Sequence, residues 1–235
     1  MEKSFPINLA VWYVIFLFSA TLHEASHALT ASYGGDDTSY RAGQASMNPF
    51  PHIQREKFGM VVMPLLSFFL NGGNWMIGWA SAPFNPYWAA RYPRRSFAMS
   101  LAGPMSHLFP ATLAWLGMYI GLRTGFFHPP SHPEDLFPVS MGYGGGLSWG
   151  LAMLLNVMFQ LNAILLVFNL MPFPPLDGSE VWYLFIKSEE SRLRWRYTSA
   201  SYSFAGILLA WYLFPNIFEP LFRMLIRALY SGVQF

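Results

Sequence analysis

The chain is organised by long apolar runs, and their lengths carry the first information. A helix that crosses a bilayer takes about 20 apolar residues. Four stretches read as such helices: about 7–32, 96–122, 147–170, and 199–214, the last followed after Pro215 by more apolar sequence to Leu229. Between the first two, residues 33–57 are polar and carry Gly34-Gly35, Asp36, Asp37 and Asn48-Pro49. This pattern predicts a loop with one or two short strands. Residues 58–82 are apolar again, but Pro64 interrupts them and Asn71-Gly72-Gly73-Asn74 sits in the middle. Tandem Asn and Gly are turn signals, so two half-length pieces around a turn are expected, forming a re-entrant hairpin, with a kinked spanning helix as the alternative. The expected fold is an α-helical polytopic membrane protein of four to six transmembrane helices, with that hairpin and a short β-containing loop after the first helix. It is one domain over 1–235, with core segments at about 7–32, 96–122 and 147–187.

Composition strengthens the membrane reading. Of 235 residues, 11% are charged, against about 25% in soluble domains. The net charge of +2 gives no reason to expect a nucleic-acid partner. Cysteine is absent, which excludes disulfides and thiolate metal sites and leaves His, Asp and Glu as ligands. Lys3 ahead of an apolar run imitates a secretory signal, but the run exceeds the ~7–15 residues of a signal core, so it reads as a retained helix. The loop 83–95 carries Arg91, Arg94 and Arg95 without an acid, and 187–196 carries Lys187, Arg192, Arg194 and Arg196 against Glu189 and Glu190. Both read as cytoplasmic, and 123–146, with Glu134 and Asp135, reads as external. The arginines of 187–196 are taken as topology signals that could also meet anionic lipid.

Within the first apolar run stands His23-Glu24-Ala25-Ser26-His27. Positions i and i+4 share a helix face, so both imidazoles reach one metal ion, with Glu24 beside them to act on a water. Polar ligands inside a membrane segment are costly and point to function. Zinc needs a third protein ligand and one open position. The best candidate is Asp177, which follows Pro172, Pro174 and Pro175 in the run Asn169 to Gly178. Prolines break the helix there, and freed backbone groups are tolerated in a membrane only beside protein or a water-filled cavity.

The early His-Glu-x-x-His with the late Asn169, Pro172, Pro174, Pro175, Leu176, Asp177 and Gly178 resembles the site-2 protease family of intramembrane zinc metalloproteases, in its small prokaryotic branch. Asn48-Pro49 with His52-Ile53, Gly78-Trp79-Ala80 with Pro83 and Asn85-Pro86, and Leu101-Ala102-Gly103-Pro104 are similar as well. The resemblance covers about Thr21 to Trp182. It implies one zinc ion held by His23, His27 and Asp177, with Glu24 as the catalytic glutamate. It puts Asn169 near the site, in contact with substrate or the developing oxyanion. It also implies a zinc-dependent endopeptidase that cuts transmembrane segments of membrane-protein or peptide substrates, in regulated intramembrane proteolysis or signal-peptide clearance. The setting would be a multi-pass protein of a prokaryotic cytoplasmic membrane. His107 departs from the pattern, standing where many relatives carry asparagine, and could add a resting metal contact.

Other readings stay open at this level. A metal transporter would spread its ligands along a path, and a catalytically silent scaffold of the same fold would not need Glu24. Residues 38–47 and 78–85 are candidate sheet edges for an extended substrate. His52 reads as a surface histidine or a site-lining one, His107 as a packed, hydrogen-bonded residue, and His128 and His132 as exposed loop residues. Asn156 and Asn162 read as helix–helix hydrogen-bonding groups. Substrate identity and oligomeric state are not legible.

Overall fold

The computed structural model describes residues 5–130, 139 and 146–231. Among these residues the fold is helical, with no strand. His132, Glu134 and Asp135 lie outside them. Among the described residues, three helices are long and apolar enough to cross a membrane: α1 (Phe5–Tyr33), α8 (Leu147–Asn169) and α10 (Ser203–Tyr230).

The expected strands after α1 are not found. Asp36 Oδ1 accepts from the backbone N–H and the hydroxyl of Thr38. This local hydrogen bonding starts a helical turn, α2 (Thr38–Arg41), in place of extended chain. Asn48 then caps α3 (Pro49–Arg55) by accepting from Phe50 N, with Pro at the first helical position. Within α3 His52 is buried rather than exposed, and its Nε2–H donates to Ser46 O at 3.2 Å. Burial pulls this imidazole below its ordinary pKa.

Residues 58–82 form the hairpin that their turn signal predicts. A π-helical turn (Phe58–Val62) runs into α4 (Met63–Leu70), the chain reverses at 71–74, and an extended segment comes back. Gly72 and Gly73 adopt positive φ (65° and 86°), which glycine tolerates best. Trp79 N–H donates to Gly59 O at 3.1 Å, and Ile77 N–H donates to Ser67 Oγ at 2.8 Å. The returning limb therefore ends beside the start of the outgoing one.

After α5 (Pro86–Arg91), the run expected as one helix over 96–122 divides into α6 (Pro93–Ser106) and α7 (Leu108–Arg123), which meet at His107. Pro110 has no N–H to offer the Ser106 carbonyl, and its ring crowds that carbonyl. The segment 147–187 likewise contains more than one helix. α8 stops at Asn169, and after the prolines a 3₁₀ helix (Asp177–Leu184) begins at the candidate ligand. α9 (Glu189–Ala200) follows. α10 passes through Pro215 and Pro220 without ending, as helices in apolar surroundings can when neighbours satisfy the freed backbone groups.

α8 is central, with half of its apolar window buried; α10 is peripheral, with 11% buried. One core joins Trp12, Ile15 and Phe16 of α1 to Met60 and Phe68 of the hairpin and Met153, Val157 and Leu161 of α8. A second joins α7, α8 and the end of α10 through Ala114, Met118, Phe159 and Leu229. Burying large side chains of this kind contributes about 1.5–3 kcal/mol each in water; within a bilayer, close packing carries more of the association. α6 packs against both α1 and the 3₁₀ helix.

Candidate metal centre

The i, i+4 spacing on α1 places His23 and His27 on one face, with His23 Nε2 and His27 Nε2 2.9 Å apart. Asp177 reaches both from the 3₁₀ helix: Oδ2 lies 3.1 Å from His23 Nε2 and Oδ1 lies 3.4 Å from His27 Nε2. These three side chains form the group among the described residues that can hold a metal ion. Donors about 2.0–2.1 Å from a tetrahedral ion stand about 3.3 Å apart, which the three separations bracket.

The chemistry of the donors fits a cation as well. His27 Nδ1 sits 2.7 Å from Met99 O. A carbonyl only accepts, so Nδ1 carries the proton and Nε2 presents its lone pair to the centre. His23 Nδ1 lies 3.0 Å from His107 Nε2, and His107 Nδ1 lies 2.8 Å from Asn162 Oδ1. Two imidazole lone pairs and a carboxylate facing one point repel one another unless a cation lies between them. Metal-ligating histidines almost always hydrogen-bond a carbonyl, carboxylate or similar group through the far ring nitrogen, which fixes tautomer and ring angle.

Two glycines make the approach of these elements possible. A Cβ on Gly103 of α6 would stand 2.3 Å from His27 Nε2 and 2.7 Å from His23 Nε2. A Cβ on Gly178 would stand 2.2 Å from Leu170 O, blocking the fold-back that aims Asp177 at the histidines.

The centre opens into a cavity of about 720 Å³. Glu24 lines it and is buried, and Asn169 lines it from the end of α8 with its Nδ2 bonded to Leu165 O at 2.9 Å. The extended residues 77–82 form another wall. His107 stands behind His23, against Nδ1, so it is a hydrogen-bonding neighbour and not a further contact at Nε2. His128 is exposed. Asn156 bonds both backbone groups of Val139, and Asn162 bonds His107 and Met158 O.

Sequence reasoning did not find the groups that hold Asp177's helix. Glu180 accepts from Arg196 Nη2 at 2.6 Å and from Ser96 Oγ at 2.9 Å. Arg196 also packs over the rings of Phe84 and Tyr183. Arg192 is buried and donates to the carbonyls of Ala90, Ile186 and Lys187. These two arginines also hold the fold together, a role that their reading as topology signals and lipid contacts did not include. Burial pushes the Glu180 carboxyl above its ordinary pKa, against the opposing pull of Arg196 and Ser96.

Comparison with known proteins bears directly on this geometry. The model of peptidase family M50 matches residues 11–213. The chain is 31% identical over 179 residues to a Bacillus subtilis (strain 168) protein named "Putative zinc metalloprotease YwhC", covering 75% of this chain and 70% of that protein. No solved structure matches.

Proposed function

The chain belongs to peptidase family M50 and is a membrane zinc metalloprotease, and we propose that it is an intramembrane endopeptidase that cuts transmembrane segments of membrane proteins. The observation that carries this reading is the meeting of His23, His27 and Asp177 around one point, with Glu24 in the same cavity, on a helix apolar enough to cross a bilayer. In this reading His23, His27 and Asp177 hold the ion. Zinc supplies Lewis-acid polarisation of a carbonyl and of water, whose pKa falls from about 15.7 towards 7. Glu24 takes the proton of the attacking water on a carboxylate oxygen and returns it to the leaving amide nitrogen. Asn169 has spent one amide N–H on Leu165 O and keeps the other for the substrate carbonyl or its developing charge. The extended residues 77–82 offer backbone groups to a locally unwound substrate.

A membrane orientation follows from the same reading. The two arginine-rich loops assigned to the cytoplasm from sequence touch one another, with Arg192 Nε 2.5 Å from Ala90 O. The end of α1 joins them, since Gly34 O accepts from Trp88 Nε1 and Arg95 Nη1 at 3.0 Å each. This supports α1 running inward with its start outside, and residues 58–82 entering and leaving on the cytoplasmic side. Cysteine labelling that put residues 36–44 and 88–95 on opposite faces of the membrane would overturn it.

Glu24→Gln separates the protease from a transporter or a silent scaffold. The expected result is zinc content unchanged and cleavage of single-span substrates lowered by about 10²–10⁴. Retained cleavage would reject the role of Glu24.

A further inference from the structure

A chain of hydrogen bonds running away from the metal centre fixes which nitrogen of His23 carries its proton. The chain starts at a group whose role is unambiguous. Asn162 Nδ2 lies 2.8 Å from Met158 O, a pure acceptor, so the amide nitrogen donates there and Oδ1 faces His107 as an acceptor. His107 Nδ1, 2.8 Å from that oxygen, must then be the N–H. In a neutral ring its Nε2 is an acceptor, so His23 Nδ1, 3.0 Å away, donates to it. His23 Nε2 is thereby left with its lone pair aimed at His27 and Asp177. The reverse direction would seat a proton on His23 Nε2, inside the centre. All three members are buried, His107 at 1%, Asn162 at 0% and His23 at 8% exposure, and each is within hydrogen-bonding distance of the next.

We infer that His107 and Asn162 are positioning residues for zinc, holding His23 in the Nδ1–H tautomer and setting the angle of its ring. This deepens the metalloprotease reading and rests on His23 being a ligand. The two residues do not touch the ion. The relay joins α1, α6–α7 and α8. It therefore ties the first ligand to the central helix of the fold, while His27 relies on a backbone carbonyl.

The test measures zinc affinity of the purified full chain in detergent by competition with a chelating dye, without reference to cleavage. Losing a hydrogen-bond partner of a ligating histidine weakens metal binding by about 10–100-fold. His107→Leu is expected to fall in that range, Asn162→Leu to fall in the same direction by less, and the double variant to be no weaker than His107→Leu. His107→Gln, which restores an acceptor towards His23, is expected to recover most of the loss. A folded His107→Leu chain with wild-type zinc affinity overturns the proposal. If His107→Leu does not fold, Asn162→Leu decides, together with ¹⁵N NMR of histidine-labelled wild type. That spectrum should place the His107 proton on Nδ1; a proton on Nε2 overturns the proposal. His27→Ala and Asp177→Ala distinguish the two levels. If both lose zinc while His107→Leu does not, the relay is wrong; if neither loses zinc, the centre itself is wrong.

Discussion

His23 and His27 lie one turn apart on the same helix and face the same point, yet the walls behind them are built differently. Behind His27 stands the backbone carbonyl of Met99. Behind His23 stand two side chains in series, His107 and Asn162. A carbonyl on a well-formed helix is present whatever residue carries it, so the His27 support is insensitive to sequence. The His23 support exists only while two particular side chains, 55 positions apart, are both retained. The candidate metal centre thus has one support that any residue at 99 supplies and one that depends on particular side chains. Asp177 is held in a third way, by a 3₁₀ helix anchored through Glu180 to Arg196 and Ser96.

The change expected to erase the difference altogether is Gly103→Ala. Its methyl group would overlap both Nε2 atoms, so zinc content should fall to background by elemental analysis; a stoichiometric zinc content would mean that α6 can move away. A smaller effect is expected from Arg196→Gln, which strips the partly buried Glu180 carboxyl of its cation. Breaking one side of a fully buried pair costs about 3–5 kcal/mol, and this partly exposed pair should lose less. The melting temperature in detergent should drop and zinc should bind more weakly through Asp177, while the histidine tautomers read by NMR stay as they are. An altered tautomer at His27 would show that the walls are coupled. The smallest effect is expected from Met99→Leu. This swap nearly conserves volume, costing less than about 1.5 kcal/mol, and leaves the carbonyl in place. Zinc affinity should match wild type, in contrast to His107→Leu, and a comparable loss would end the distinction between the two supports.

The pair His23 and His27 was legible because helical periodicity is a local property. Asp177 was legible because three prolines within four residues, Pro172, Pro174 and Pro175, mark a helix break just before it. The turn at 71–74 was legible for the same reason, with Asn and Gly naming it. The strand expected near 38–47 was not realised, since Asp36 captured Thr38 and turned the chain into α2. The division of 96–122 at His107 was written in Pro110 but is ambiguous in sequence, because Pro215 and Pro220 leave α10 unbroken.

Sequence by itself therefore determined the membrane character, the candidate ligand types and the face on which two of the candidates lie, because composition and short-range spacing are properties of contiguous residues. Tertiary structure alone decided that Asp177 meets the histidines at 3.1 and 3.4 Å, that His107 stands behind His23, and that Arg196 holds Glu180. Each of those depends on residues 16 to 154 positions apart being carried to hydrogen-bonding distance, and only the packing of α1, α6, α8 and α9 fixes such distances.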